Sequence, residues 1–119
     1  MGCLIKSGDG SAQHSTVSVT DECWMELIKH ASEGGYSAPP HLRMLELRKN
    51  VLVHIDDYEA EDLQDALSNA LRTTLKDAPV VDPNSYGGQL DRVTVHRIRH
   101  VLRSGDVSLA RTPRWRAGD

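Results

Sequence analysis

The sequence predicts an α+β fold, a small and mostly antiparallel sheet packed on one face by three helices. Three segments carry apolar residues at the helical period: one from about Thr20, one from Asp56, and one over residues 89–103. Between and beyond them lie short stretches that alternate at the strand period, such as Val17 and Val19, Val51 to Ile55, and Val107 to Leu109. The length, 119 residues with 39% hydrophobic and 4% aromatic content and no Phe, suits one aliphatic core. Residues 1–119 are therefore expected to form a single domain, with an irregular N-terminal hairpin over 1–16 and a polar C-terminal tail over 111–119.

At the N-terminus the turn-forming cluster Ser7 to Ser11 separates the apolar start, Cys3 to Lys6, from the alternating Ser15 to Val19, so these flanks are expected to pair. Trp24, Leu27, Ile28 and Ala31 then fall at i, i+3, i+4 and i+7, with Thr20 or Asp21 as cap and Gly34-Gly35 as stop. Pro39-Pro40 removes two backbone donors and makes an irregular connector. A hairpin is expected next, one arm from Leu42 to Leu47, a turn at Arg48 to Asn50, and a second arm from Val51 to Ile55.

Asp56 with Glu59 three residues on spells a capping box, with Ile55 and Ala60 placed as a hydrophobic staple. The second helix is expected to run to about Lys76, and Asp77 to Gly88 to form a loop. Residues 89–103 admit either element, since Val93-Thr94-Val95 has strand propensity while Leu90, Thr94, Ile98, Val101 and Leu102 share a helical face. The Ser104-Gly105 stop favours the helix. The expected core is Trp24, Leu27, Ile28, Ala31, Val51, Val53, Ile55, Leu63, Leu67, Leu71, Ile98 and Leu102.

Several classes are excluded. Apolar runs of only a few residues cannot reach the roughly 20 needed to cross a bilayer, so no membrane association is expected. The first residues have neither a signal-peptide apolar region nor the myristoylation pattern, Lys6 standing where Ser or Thr is wanted. Cys3 and Cys23 are too few for a disulfide framework or a thiolate zinc site, which sets a reducing, cytoplasmic compartment as the expectation.

Some residues match a known pattern. Trp24, Leu27, Ala31, Gly35 and Tyr36, then Glu61, Asp62, Leu63, Ala66, Leu67, Ala70 and Leu71, then Leu102, Arg103 and Gly105, resemble a group of small bacterial and phage α+β proteins. Asp106 departs from the second Gly more usual there. The resemblance spans about residues 17–110, implies the α+β fold, and brings no catalytic residues with it. It also suggests a setting in bacterial competition or phage defence.

The formal charge of −3 hides a split: residues 1–88 sum to −7 and residues 89–119 to +4. The acids Asp56, Asp57, Glu59, Glu61, Asp62 and Asp65 crowd the start of the second helix, where the macrodipole favours them. Glu61 and Asp65, like charges four apart without a following cation, exceed that need and are candidates for a partner. The basic end is less easily explained: Arg92, His96, Arg99 and Arg103 form one helical stripe, and Arg114, Trp115 and Arg116 follow in the tail.

His96 and His100 sit four apart, as a metal pair would, but Arg97 stands where a zincin has Glu and two ligands make no site. Cys3 and Cys23 lack a nucleophile signature, and Gly34-Gly35 and Gly87-Gly88 lack the spacing of a phosphate loop. No catalytic set, metal site or cofactor is therefore expected. The function expected is that of a non-catalytic protein-binding domain, an inhibitor or immunity-type protein whose two charged surfaces occupy a protein partner, with a homodimer as a further option. Two alternatives stand beside it: nucleic-acid contact through the helix over 89–103 and the tail over 111–116, and a small metal-dependent enzyme built on His96 and His100.

Overall fold

Alternation along the strands decides where the sheet buries its face. The computed structural model describes residues 2–43, 52–79 and 90–112. Strands β1 (Gly2–Ser7), β2 (Thr16–Thr20), β3 (Leu52–Ile55) and β4 (Val107–Thr112) form one antiparallel sheet in the order β2-β1-β4-β3. The register puts Val17, Ile5, Leu109 and Val53 in one row across all four strands, on the face that the helices cover. Ile5 and Leu109 are fully buried, and each such aliphatic side chain contributes about 1.5–3 kcal/mol relative to exposure. The opposite face carries Ser18, Leu4, Ala110 and Leu52 in the next row, with Ser18 and Leu52 exposed.

Three helices cover the inner face, as expected. Helix α1 (Asp21–Glu33) starts where the Thr20 hydroxyl accepts from the Cys23 N–H and ends at Gly34. A Cβ added at Gly34 would come 2.6 Å from the Asn69 Nδ2, so the end of α1 closely approaches helix α2 (Asp57–Arg72). The capping box of α2 is complete: the Glu59 N–H donates to Asp56 at 2.8 Å, and the Asp56 N–H donates to Glu59 at 3.2 Å. The helix ends at Arg72 rather than Lys76, because Thr73 leaves helical geometry and residues 73–77 turn. Leu75 is buried even so.

The segment that admits either element forms helix α3 (Arg92–Ser104). Asp91, itself buried, caps it by accepting the Thr94 N–H at 2.8 Å, and Val95, Ile98, Val101 and Leu102 form its buried stripe. Burial at the helical period and a cap outweigh the strand propensity of Val93 to Val95. Gly105 then adopts a left-handed φ of 85°, which glycine reaches without steric cost, and turns the chain into β4.

Of the expected hairpin, only the start of the first arm is corrected. Leu42 lies in a 3-10 turn (Pro40–Leu42), not at the head of a strand, and among the described residues β3 is an outer strand that pairs with β4, the C-terminal strand. Local alternation marks strands but carries no information about long-range partners. The arm over 44–50, Val51 and the loop from 80 onward lie outside the described residues. Among the expected core residues that are described, Ile28 and Val53 are only partly buried, while the rest are buried.

Candidate functional site

A cleft of about 560 Å³ opens between the β1–β2 turn, the edge strand β2 and the outer side of α3. His14, Thr16, Val17, Val93, His96, Arg97 and His100 line it. His96 and His100 are one helical turn apart, which carries both rings to one side of α3, and Arg97 stands next to the first. Val17 and Val93 give the cleft an apolar floor.

The third imidazole comes from far away in sequence. His14 holds a left-handed φ of 61° in the turn, a conformation seen more often for His than for most residues. Ser15 beside it anchors that turn: buried, it accepts the Ser7 N–H at 2.9 Å and donates its hydroxyl to the Ala12 carbonyl at 2.6 Å. The turn thus holds His14 opposite a helix more than seventy-five positions later in the sequence.

Arg99 completes the cation set indirectly. Its Nη1 lies 3.4 Å from His96 Nδ1. Arginine only donates, so Nδ1 is the acceptor when this contact is a hydrogen bond. Arg97 supplies a permanent charge and three imidazoles supply hydrogen-bonding edges, a combination suited to an anion of the phosphate class.

The helical stripe Arg92, His96, Arg99, Arg103 does not act as one surface. His96 faces the cleft, whereas Arg92 and Arg99 are half-buried with Nε atoms that have no hydrogen-bond partner among the described residues. Arg103 lies in a separate groove of about 380 Å³ with Asp57, Glu61, Gln64 and Asp65 of α2. Glu61 and Asp65 are thus brought to Arg103, but no ion pair within 4.0 Å joins them among the described residues. Arg114, Trp115 and Arg116 lie outside the described residues.

His96 and His100 do meet a third histidine, yet no group of three or more His, Cys, Asp or Glu side chains in metal-holding geometry occurs among the described residues. Cys3 and Cys23 are both free and buried. Burial pushes the Cys3 thiol far up and the Cys23 thiol up to about 12, with Asp21 adding to the first and Asp91 to the second, so neither is primed as a nucleophile. Tyr36, half-buried near Asp62 and Glu59, is raised to about 12 in the same way, chiefly by desolvation. No described helix is long and apolar enough to cross a membrane.

Sequence reasoning missed His14 and underrated Arg97. The signal for His14 is its place beside a tight turn, which acquires meaning only once α3 is packed against β2.

No protein-family model matches the chain, and no solved structure matches it. The chain is similar to the serine/threonine-protein kinase BtrW of Bordetella bronchiseptica, with 34% identity over 86 residues. The matched segment covers 71% of this chain, and the chain spans 58% of the length of that curated relative. The expectations of a non-catalytic inhibitor or immunity-type protein, and of no enzymatic activity, are corrected by this relationship, because the relative carries an enzyme's name. The physical reason is that contiguous motifs are not required for a site: here distant segments, His14 on one side and His96 to His100 on the other, converge on one cleft.

Proposed function

We propose that the chain is a phosphoryl-transfer enzyme of the serine/threonine kinase kind, or the part of one that handles the phosphoryl group, with the β2/α3 cleft as its reaction site. The similarity to a protein named as a serine/threonine kinase carries this reading. The chemistry of the cleft supports it. Phosphoryl transfer asks little covalent work of a protein and depends on positioning and on cations that meet the charge spread over the phosphoryl oxygens. Arg97 offers such a cation, and His14, His96 and His100 offer donors around it. A cytoplasmic, reducing compartment suits two free thiols.

The test is direct. The purified chain is incubated with radiolabelled magnesium ATP and a protein acceptor, and phosphoserine and phosphothreonine are scored. Label transfer that drops with Arg97→Ala supports the reading, and no transfer to any acceptor or to the chain itself sinks it.

A further inference from the structure

The cleft adjoins an open sheet edge, and the ladder shows which backbone groups that edge presents. β2 is an outer strand, paired only with β1 among the described residues. The Ser7 N–H donates to the Ser15 carbonyl at 2.9 Å, and these two stand opposite each other when the register is extended by one position. Hydrogen-bonded and non-hydrogen-bonded pairs alternate along an antiparallel ladder. Val17 and Val19 therefore bond Ile5 and Cys3, whereas Thr16 and Ser18 occupy the non-bonded positions opposite Lys6 and Leu4. The N–H and C=O of Thr16 and Ser18 point away from β1, and both residues are exposed. Thr16 also lines the cleft, so the open edge and the cations share a border.

We propose that an extended peptide carrying a phosphorylated serine or threonine adds to β2 as a fifth strand, with its phosphate in the cleft against Arg97, His96 and His100. Main-chain bonds to the free edge supply affinity in strand addition, and a pocket beside the edge supplies selectivity. Charge complementarity selects the occupant: a guanidinium and imidazole donors above an apolar floor match a phosphate on an otherwise apolar strand. That this peptide is the phosphorylated form of the enzyme's own protein substrate rests on the function proposed above, whereas the docking itself does not.

Calorimetric titration of the whole chain with three probes tests it: a valine-rich peptide centred on phosphothreonine, its unphosphorylated twin, and inorganic phosphate. The phosphopeptide is expected to bind at least about tenfold more tightly than its twin, a difference that Arg97→Ala removes. Ser18→Pro deletes an outward N–H without touching the bonds to β1, and is expected to weaken the phosphopeptide about tenfold while leaving inorganic phosphate unchanged. Ser18→Ala is expected to change neither. Should Ser18→Pro fail to fold, a phosphopeptide N-methylated on its pairing amides asks the same question of the native chain, and is expected to bind about tenfold more weakly. Equal affinity for the phosphorylated and plain peptides, or no effect of blocking the edge, overturns the proposal. Phosphopeptide binding without phosphoryl transfer removes the enzyme and keeps the docking; transfer without phosphopeptide binding does the reverse.

Discussion

The indole N–H of Trp24 donates to the Leu42 carbonyl at 2.7 Å, a buried bond that spans eighteen positions and fastens the proline-rich connector onto α1. The connector is held at a second point, where the His41 Nε2 meets the carboxylate of Glu59, a member of the α2 capping box. A connector that carries one 3-10 turn (Pro40–Leu42) is thereby tied to two helices.

Trp24→Ala removes the largest fully buried side chain among the described residues and leaves the Leu42 carbonyl without its donor. The expected loss is about 3–5 kcal/mol, measured as the shift in a urea unfolding curve. Trp24→Phe keeps most of the apolar contact and loses only the bond, so it should cost less, about 1–3 kcal/mol. An unchanged midpoint for the alanine variant would show that the connector and core do not depend on this residue.

Asp56→Ala deletes one half of the α2 capping box. The expected cost is about 1 kcal/mol, seen as a lower thermal midpoint, with Asp56→Asn retaining most of the stability.

The raised thiols and phenol set the alkaline limit. Cys3 and Cys23 are held above the ordinary thiol value and Tyr36 above the ordinary phenol value, in each case mainly by burial. A folded-state value raised above the unfolded one favours the protonated, folded form. This stability is present in full below the unfolded value and is lost as pH climbs through it toward about 12, where Cys23 and Tyr36 titrate in the fold. Unfolding free energy should therefore be insensitive to these groups near neutrality and decline above about pH 9. Thiol reagents at pH 8 should leave the folded chain unlabelled and modify both cysteines in denaturant.

Arg97 is exposed on α3, so Arg97→Ala is expected to leave the unfolding midpoint within about 0.5 kcal/mol of the parent. The phosphoryl transfer proposed above should fall about a hundredfold, the loss typical of removing one group that meets developing charge. A parallel fall in stability would mark the residue as structural instead.

His14→Gly relieves a left-handed backbone that only glycine adopts freely. Stability is expected to rise by up to about 1 kcal/mol, the extra freedom of unfolded glycine offsetting part of the gain, while the proposed transfer activity falls because one cleft imidazole is gone. Lower stability in calorimetry would place the His14 ring in a packing role.

By itself the sequence determined two helix starts and two exits, because caps and stops act within a few residues of where they are written: Thr20 on Cys23, Asp56 on Glu59, Gly34 and Gly105 at the exits, whereas the end of α2 at Arg72 and the choice of helix for α3 were settled by packing. It also determined most of the buried faces, since periodicity is a property of a single segment. The tertiary structure alone decided that the last strand lies between β1 and β3, because pairing depends on which faces are free once the helices have packed. It likewise decided the site. The helical stripe of Arg92, His96, Arg99 and Arg103 suggested one basic surface, but packing on β2 and α2 divided it, turning His96, Arg97 and His100 toward His14 and Arg103 toward Glu61 and Asp65. A helix face is a local fact, whereas a cleft requires a second wall, and the wall here is a turn at the other end of the chain.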